Sequence, residues 1–565
     1  MDLKTRGLAP GTYERESIES ILGPADSDVG RDRVGGSSLR ARRHLLLPTL
    51  HAVNDRVGWI SPAAIDHIAE RLDVSPAEIY GVVTFYGLFS THERPTLQVH
   101  ACVDLVCRSQ GVSEDRLPDG VHPSPCLGLC EQAPAVLVTE AGEPTRRASL
   151  GNVSPDRLGD LTAVSTPRLP IPQAGDPDLV LLARAGRIEP LDFGAWVADG
   201  GLEALGRARE IGPGAVLDLV DAAGLLGRGG AAFPTARKWR AVRAQRASPR
   251  HLVCNADESE PGTFKDRVLI ENDPFALLES MMIAAFAADC SHGWIYLRGE
   301  YPGVEATLTS AIGTFRREGI LGDGFDISLR RGAGAYICGE ETAIFNSIEG
   351  FRGEPRNKPP YPFEEGLFSL PTVVNNVETL VNVPSIILGR TTSSRRLFCV
   401  SGAIARPGAY EVELGVTLGE LIDRAGGLPS GSELQAVLLG GAAGRYLSPR
   451  SLDLVLDHES VHEAGLSLGS GVVMVLDQHV DLVDQIRRIA AFFRDESCGQ
   501  CVPCRVGTVR QEEVLRRLAN GVRDGQVELL ADIGQAMTDA SICGLGQTAN
   551  NAIESAVVTL GAFRR

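Results

Sequence analysis

The sequence lacks long apolar runs. None approaches the ~18 consecutive apolar residues that indicate a membrane-spanning helix. The N-terminal segment MDLKTRGLAPGTYERES also has no apolar core of the kind found in secretory signals. We therefore expect a cytoplasmic protein without a membrane span. In that compartment thiols stay reduced and disulfides are rare.

Positive charge is also in short supply. The chain has 55 Lys and Arg against 72 Asp and Glu, which gives a formal net charge of −17. Such a balance disfavours nucleic-acid backbones and anionic membrane surfaces as main partners. The hydrophobic content of 43% and the charged content of 22% are ordinary for globular proteins, so packed cores are expected. A length of 565 residues suffices for roughly three to five domains.

Composition and periodicity change several times along the chain. Helix start signals stand at Ser61-Pro62 and Ser75-Pro76, where a capping serine precedes proline. We predict a flexible arm over 1–40, a helical and small α/β segment over 41–145, a linker rich in Pro, Ser and Gly over 146–178, a mixed α/β domain over 179–392, a β-rich module over 393–480 and a helical bundle over 481–565.

Twelve cysteines in a reducing compartment require an explanation other than disulfides, and metal binding is the leading one. In the C-terminal segment, Cys498, Cys501 and Cys504 follow one another at intervals of three, and Cys543 comes from a distant loop. Three close cysteines and a remote one suit a [4Fe–4S] cluster. Zinc fits less well, because it usually takes two separated pairs.

The second cysteine group consists of two pairs, Cys102 with Cys107 and Cys126 with Cys130. Two pairs can each hold one iron of a [2Fe–2S] cluster, but they also suit a tetrahedral zinc site. The spacing alone leaves both metals open. The isolated cysteines are predicted to be small buried hydrophobes: Cys254, Cys290, Cys338 and Cys399.

Three loops of the segment 179–392 carry signals for ligand binding. The first, GLLGRGGAAFPTARKW, has glycines that let backbone N–H groups approach a phosphate, with Arg228 and Lys238 adding positive charge. It does not fit a Rossmann motif, because VLDLVDAAG before it is predicted to be a helix rather than a strand. A phosphate or flavin loop of another kind remains.

The other two loops are acidic. CNADESEPGTFKDR crowds Asp257, Glu258 and Glu260, whose mutual repulsion is expected to raise their pKa values, a cost usually accepted at ligand sites. GAGAYICGEETAIFNSIEG brings Gly339 to the start of a predicted helix. Downstream, PRNKPPYP and VNNVET add one lysine and two asparagines. Together these loops predict a site for a phosphate-bearing cofactor.

These loops, in this order and followed by ESCGQCVPC, closely resemble the NADH-binding flavoprotein subunit of respiratory complex I over residues 179–565. Residues 44–140, with SPAEIYGVVTFYGLF and CLGLCEQAP, resemble the thioredoxin-like [2Fe–2S] subunit of that enzyme. Similar fusions occur in NAD-linked formate dehydrogenases and in the diaphorase part of NAD-reducing hydrogenases. The resemblance is strongest to the β (diaphorase) subunit of molybdenum- or tungsten-dependent formate dehydrogenase.

The resemblance implies a multidomain α/β fold: N-terminal helices, a thioredoxin-like [2Fe–2S] domain, a Rossmann-like FMN and NADH domain, a β-grasp module of the soluble-ligand-binding (SLBB) type that serves packing and docking, and a helical [4Fe–4S] bundle. It also decides between zinc and iron at the two cysteine pairs in favour of [2Fe–2S].

The same resemblance implies the residues that hold the cofactors. FMN would be bound by Gly227, Arg228, Gly229, Lys238, Asn255, Asp257, Gly339, Glu340, Asn375, Asn376 and Thr379. NAD(H) would lie near Phe233, Glu260, Tyr336, Glu341 and Lys358, of which Glu260 and Glu341 orient the nucleotide rather than act as acid or base. Gly230 and Glu258 complete the predicted cofactor-binding set as members of the same loops.

The sequence departs from the family at three places. Ala241 stands where the family often has an aromatic residue, which removes one wall for the adenine. Tyr361 replaces a phenylalanine and can still stack. The interval between Cys107 and Cys126 is shorter than usual, so we expect a trimmed thioredoxin-like domain with a more exposed cluster.

The expected function is exchange of hydride between NAD(H) and FMN and of single electrons with the iron–sulfur clusters, so that NAD⁺ is reduced with electrons from formate oxidised on a partner chain. The partner is predicted to be a large iron–sulfur catalytic subunit of the formate dehydrogenase α type. The alternatives are the diaphorase subunit of an NAD-reducing hydrogenase or a fused NADH dehydrogenase subunit of complex I. A non-catalytic electron-relay scaffold is the alternative from another class.

Overall fold

The computed structural model describes residues 8–24, 39, 41–159, 161, 171–322, 324–390 and 394–563. The described elements form five modules in chain order, and the predicted multidomain α/β class is confirmed. Among the described helices, none is both long enough and apolar enough to cross a membrane.

The N-terminal helices come first. They are α1 (Thr12–Leu22), α2 (Leu46–Val57), α3 (Pro62–Leu72) and α4 (Pro76–Val83). The predicted caps are present: the Ser61 hydroxyl accepts from the Ala64 N–H, and Ser75 forms a reciprocal capping box with Glu78.

The prediction of a flexible arm over 1–40 is wrong for Thr12–Leu22. This segment forms helix α1, which contacts α2. Its apolar side chains Ile18 and Leu22 are buried there, which stabilises a helix too short to persist alone in water. The remainder of the predicted arm, at residues 1–7, 25–38 and 40, lies outside the described residues.

The cysteine-sheet module spans residues 97–150. Its elements are β1 (Leu97–Cys102), α5 (Leu105–Ser109), β2 (Val121–Ser124), β3 (Val136–Glu140) and β4 (Arg146–Leu150), with the sheet order β2-β1-β3-β4. Strand β4 pairs antiparallel with β3, so the predicted linker begins too early. As an edge strand, β4 buries only alternate side chains, which explains why its polar sequence RRASL does not read as a strand.

The parallel-sheet domain spans residues 193–387. Its elements are α6 (Phe193–Ala198), α7 (Glu203–Ala222), α8 (Thr235–Arg243), β5 (His251–Ala256), α9 (Lys265–Asn272), α10 (Pro274–Ala288), β6 (His292–Leu297), α11 (Pro302–Arg317), β7 (Asp326–Arg331), α12 (Glu341–Ile348), β8 (Thr372–Asn376), α13 (Val377–Val381) and α14 (Val383–Ile387). Helix α10 is apolar on almost every face and forms the centre of the core.

The strands of this domain are all parallel, in the order β7-β6-β5-β8. The chain runs from β5 through β6 to β7 in one direction and then returns to place β8 on the other side of β5. The topological switch point therefore lies between β5 and β8, and a crevice at the carboxyl ends of these two strands is where open α/β sheets bind ligands.

The mixed-sheet domain spans residues 395–477. It contains β9 (Arg395–Gly402), β10 (Gly408–Glu413), α15 (Leu418–Arg424), β11 (Leu434–Leu439), β12 (Arg445–Leu447), α16 (His458–Glu463) and β13 (Val472–Asp477), with the sheet order β10-β9-β13-β11-β12. The C-terminal bundle follows with α17 (Leu482–Asp495), α18 (Val502–Ala519), α19 (Gln526–Ala540), α20 (Gly544–Thr548) and α21 (Asn551–Val558).

Candidate functional site

The four C-terminal cysteines converge on one cavity. Cys498 and Cys501 lie in the loop between α17 and α18, Cys504 lies in the first turn of α18, and Cys543 precedes α20. All four line one small cavity, with Ile337 on its wall. The remote cysteine thus meets the close triplet, as the sequence predicts for a [4Fe–4S] cluster.

The chemistry of this cavity fits iron. Burial raises the pKa of Cys504 to about 11 and that of Cys543 to about 12, so as free thiols both would stay protonated. A cationic cluster would turn them into thiolates, as metal coordination does. Cys501 and Cys543 also stand at the N-cap positions of α18 and α20, where the partial positive charge of a helix N-terminus favours anionic sulfur.

The N-terminal cysteines also meet. The Sγ atoms of Cys126 and Cys130 are 3.4 Å apart, and the Cys102 thiol contacts those of Cys107 and Cys126. Hydrogen bonds from Cys102 and Cys130 lower the pKa of Cys126 below its usual value, and Arg298 adds to that effect. Across the described part of the chain, no three His, Cys, Asp or Glu side chains are arranged to hold a single metal ion.

The prediction of a more exposed [2Fe–2S] site is wrong. All four cysteines of the pairs are buried, with exposures of 2–7%. The parallel-sheet domain covers the second pair: Arg298 donates to the Cys126 carbonyl at 2.6 Å, and Arg267 donates to the Gly128 carbonyl at 3.1 Å. Residues of the parallel-sheet domain therefore shield this cysteine pair from solvent.

Helix α17 of the bundle contacts the loop that carries the first cysteine pair. The Asp104 carboxylate, between Cys102 and Cys107, accepts from the Leu105 and Cys126 N–H groups at 3.0 and 3.2 Å. Arg488 approaches the same carboxylate at 3.5 Å. The sequence gives no signal for this contact, because 384 positions separate the two residues.

The first glycine loop closes over the carboxyl end of β8. The Gly227 N–H donates to the Phe233 carbonyl at 2.9 Å, and the Arg228 N–H donates to Thr379 Oγ1 at 2.8 Å. Gly230 has φ +116°, a conformation that needs glycine. The Arg228 guanidinium is buried and reaches His458 Nε2 at 3.4 Å. The sequence predicts that this positive charge lies at a phosphate. In the structure the guanidinium points towards the mixed-sheet domain.

Polar side chains from β5 and β8 flank the crevice at the switch point. Asn255 ends β5 and donates from Nδ2 to the Gly339 carbonyl at 2.8 Å. Asn375 and Asn376 end β8, and Asn375 Oδ1 accepts from the Trp239 indole at 2.8 Å. The structure thus gathers polar groups from all three loops at one sheet edge, with the third loop contributing its Gly339 carbonyl, and this arrangement fits a phosphate-bearing cofactor.

The acidic side chains of the second loop have different roles. The Glu258 carboxylate accepts from the Asp266 and Arg267 N–H groups at 2.8 and 3.0 Å, so it caps helix α9. Glu258 therefore has a structural role, and its predicted contact with the cofactor stays a prediction. Burial raises the pKa of Asp257, that of Glu258 to about 8 and that of Glu260 to about 6. Burial, rather than repulsion among the three, is therefore the main cause.

Two lysines and two glutamates form the mouth of the crevice. Lys358 Nζ contacts Glu341 Oε1 at 2.7 Å and Glu340 Oε1 at 3.0 Å, and Lys238 Nζ lies 3.3 Å from Glu341 Oε2. Although burial raises the pKa of Glu341, the lysines hold it below its usual value. Phe233 is 41% exposed beside this group, and Lys238 Nζ lies 5.7 Å from the centre of its ring.

The loop 336–339 joins the crevice to the C-terminal cysteine cavity. Its Gly339 carbonyl accepts from Asn255, while Ile337 lines the cavity. The Tyr336 N–H donates to Glu496 Oε2 at 2.8 Å, and its ring lies 5.1 Å from that of Phe492 on α17. Sequence reasoning misses Glu496, although it stands two residues before Cys498.

Comparisons with known proteins agree with this geometry. The matching family models are the Nuo51 FMN-binding domain at residues 220–385, the NADH-ubiquinone oxidoreductase-F iron-sulfur binding region at 484–562, the thioredoxin-like [2Fe–2S] ferredoxin at 36–117 and the SLBB domain at 397–442.

Among relatives, the NADH-quinone oxidoreductase F protein of Aquifex aeolicus (strain VF5) is 42% identical over 393 residues, covering 66% of this chain and 91% of the relative. The NADP-reducing hydrogenase subunit HndC of Solidesulfovibrio fructosivorans is 39% identical over 393 residues, covering 66% and 80%. A chain in the crystal structure of H₂-reduced NAD⁺-reducing [NiFe]-hydrogenase is 32% identical with a TM-score of 0.76, covering 93% of this chain and 94% of that one.

The family of these relatives uses NAD(H) with FMN, and the matched models include both iron–sulfur types. The chain therefore belongs to the NADH-quinone oxidoreductase F (NuoF-like) family of diaphorase proteins with FMN, [2Fe–2S] and [4Fe–4S] domains.

Proposed function

We propose that this chain exchanges hydride with NAD(H) at the crevice between β5 and β8 and exchanges electrons singly with a partner chain through the C-terminal cysteine cavity. The observation that carries the proposal is the shared loop 336–339. One side of it contributes to the crevice, and Ile337 on the other lines the cavity. A redox path between the two sites therefore needs to cross only this loop.

FMN, when bound, accepts hydride from a nicotinamide and exchanges single electrons with iron–sulfur centres. The chain's own residues bind and orient. Asn255, Asn375 and Asn376 offer amide groups at the strand ends, and the first glycine loop offers backbone N–H groups. Lys238 and Lys358 offer positive charge towards nucleotide phosphates, balanced by Glu341.

The bundle surface beside the cysteine cavity supports an electron exit to another protein. Val502, Val506 and Val509 lie on one face of α18 and are 40–58% exposed, and Ile542 next to Cys543 is 37% exposed. Exposed apolar side chains grouped in this way are typical of protein contacts. A redox partner that covers them would bring its own centre close to Cys501 and Cys543.

For the partner's substrate, the match to a chain of NAD⁺-reducing [NiFe]-hydrogenase favours dihydrogen, because it is 32% identical and extends over 93% of this chain and 94% of that one. Formate, which the sequence analysis predicts, depends on the same fusion. Since the hydrogenase chain shares that organisation, the fusion does not discriminate between the two donors, and neither compared relative is described as a formate enzyme.

The donor is identified by the chain that co-purifies. A partner with nickel and iron, and NAD⁺ reduction driven by H₂ but not by formate, would support the hydrogenase assignment. A partner with molybdenum or tungsten, and NAD⁺ reduction driven by formate, would replace it. A purified chain with clusters but without FMN or NADH-dependent dye reduction would instead favour the non-catalytic relay.

The role of the cysteine cavity is tested by Cys501→Ala. We expect loss of the [4Fe–4S] signal in electron paramagnetic resonance and loss of electron transfer to the partner, while NADH oxidation with a dye that accepts directly from flavin persists. Cys290→Ala is the control, because Cys290 is a buried cysteine outside both groups. Unchanged iron content in Cys501→Ala would contradict the assignment.

A further inference from the structure

The mixed-sheet domain reaches into the nucleotide side of the crevice. Two of its glycine-rich turns, residues 440–444 and 469–471, lie against the acidic loop of the parallel-sheet domain. Both turns donate hydrogen bonds to the side chain of Glu260 in that loop. The sequence analysis assigns this domain only a packing and docking role.

Both oxygens of the Glu260 carboxylate are bonded from the mixed-sheet domain. Oε1 accepts from the Ala443 N–H at 3.0 Å, and Oε2 accepts from the Ser470 hydroxyl at 2.8 Å. Ser470 Oγ is also 2.8 Å from Thr263 Oγ1. Because the Ser470 hydroxyl has a single proton and gives it to the carboxylate, the Thr263 hydroxyl donates to Ser470. The result is a donor chain from Thr263 through Ser470 to Glu260.

The turns are shaped for this contact. Gly441 has φ +84°, and a Cβ added there would lie 2.6 Å from Glu260 Cδ. Gly469 and Gly471 on either side of Ser470 also have positive φ, at +53° and +88°. Glycine at these positions lets the backbone come close enough for hydrogen bonds to the carboxylate. Ser470 itself is 7% exposed, so its hydroxyl is shielded from competing water.

We propose that Ser470 is a positioning residue for NAD(H), which fixes the Glu260 carboxylate so that it can accept hydrogen bonds from the bound nucleotide. This inference rests on the proposed function and on the family resemblance, which implies that Glu260 lies near NAD(H). It gives the mixed-sheet domain a part in substrate affinity. A carboxylate held by two fixed donors keeps one orientation and loses little freedom on binding.

The ionisation of Glu260 supports this role. Burial raises its pKa to about 6, and the donors Ala443 and Ser470 oppose that rise. Removing the Ser470 hydroxyl should therefore raise the pKa of Glu260 further. Burial, together with the nearby charge of Glu260, raises the pKa of the Tyr336 phenol well above its usual value. Tyr336 therefore does not titrate near neutral pH.

The test compares four variants of the full chain carrying FMN and clusters: Ser470→Ala, Glu260→Gln, the double variant, and Ser467→Ala. Ser467 is the matched control, because its hydroxyl accepts from the Gly469 N–H in the same turn. For each variant, NADH-dependent dye reduction gives KM and kcat between pH 5.5 and 8, NAD⁺ titration gives the binding constant, and the flavin and cluster spectra report folding.

We expect Ser470→Ala to raise the KM for NADH about tenfold at pH 7, with kcat changed much less, because a hydrogen bond to a charged group is lost. In wild type, KM should rise as pH falls through about 6, where Glu260 becomes protonated. In Ser470→Ala this rise should begin at higher pH. In the Glu260→Gln background, Ser470→Ala should add no further effect.

A KM for Ser470→Ala equal to that of Ser467→Ala, with Glu260→Gln impaired, would overturn the inference alone. Independent, additive effects of the two substitutions would also overturn it. If Glu260→Gln binds NADH normally, the nucleotide role of Glu260 and the inference both fail. Failure of the proposed function is distinguishable, because then no variant would reduce dye with NADH.

Discussion

Lys265 is a lysine with 1% exposure that lies among carboxylates beneath the crevice. Its Nζ is 2.8 Å from Asp266 Oδ1 and 3.0 Å from Glu378 Oε2. Although burial disfavours the charged form, these two partners raise the pKa of Lys265 above its usual value. Asn376, a predicted FMN contact, donates to Asp266 Oδ2 at 2.5 Å, so this buried group supports the cofactor side chains.

At the residue scale, we predict that Lys265→Met lowers the free energy of unfolding by about 3–5 kcal/mol and reduces FMN retention, because the buried Asp266 and Glu378 carboxylates both lose their ion-pair partner and only Glu378 keeps the influence of Arg396 and Arg228. Denaturant unfolding and the flavin-to-protein ratio measure both effects. Arg207→Met is the control, since its ion pair with Glu210 is exposed and a change within about 0.5 kcal/mol is expected. Equal stability of the two variants would refute the role of Lys265.

At the scale of elements, helix α17 connects three sites. Near its N-terminal end, Gln485 and Arg488 contact the loop of the first cysteine pair. Near its C-terminal end, Phe492 packs on Tyr336 beside the crevice. The loop after the helix then delivers Cys498. One helix thus fixes the relative positions of both cysteine groups and the nucleotide wall.

We predict that Arg488→Ala impairs the [2Fe–2S] site and spares the [4Fe–4S] site. The buried Asp104, which also bonds the Cys126 N–H, would lose its neighbouring cation, and burial already raises its pKa. Iron content and the two cluster signals in electron paramagnetic resonance measure the outcome. Arg487→Ala is the control, since Arg487 is the neighbour of Arg488 on α17 and lines the same surface pocket. Equal loss of both clusters in Arg488→Ala would show general destabilisation instead.

At the scale of the whole molecule, the modules interlock instead of lying side by side. Arg298 has 2% exposure and donates to the carbonyls of Cys126 and Glu258, both at 2.6 Å, while pairing with Glu300 at 3.1 Å. It therefore ties the cysteine-sheet module directly to the acidic loop of the crevice. The Tyr86 hydroxyl ties the N-terminal helices to Ser347 on α12 in the same way, at 2.8 Å.

We predict that Arg298→Leu loosens the cysteine-sheet module while the mixed-sheet domain stays intact, because carbonyl acceptors and Glu300 lose their buried partner. Amide hydrogen exchange should speed up over residues 97–150 and remain unchanged over 395–477. Arg316→Leu serves as the control, because it removes the exposed pair with Asp326 and a hydrogen bond to the Ile327 carbonyl, both outside residues 97–150. Unchanged exchange over 97–150 would contradict a locking role for Arg298.

The sequence by itself determined the features that depend on local spacing and residue chemistry. The cysteine intervals predicted the [4Fe–4S] site and a metal site at the two N-terminal pairs, and the Ser-Pro pairs predicted the starts of α3 and α4. Loop composition predicted a phosphate-bearing cofactor. Such signals are readable because ligands of one cluster or one helix cap stand a few residues apart.

Only the tertiary structure decided which side chains face the crevice and which support it. It assigned Glu258 to a helix cap, turned Arg228 towards His458, and buried the cysteine pairs under Arg298. It also joined Ser470 to Glu260 across 210 positions of sequence. The physical reason is that burial and partnership depend on which modules meet, and no local pattern records contacts between residues so far apart.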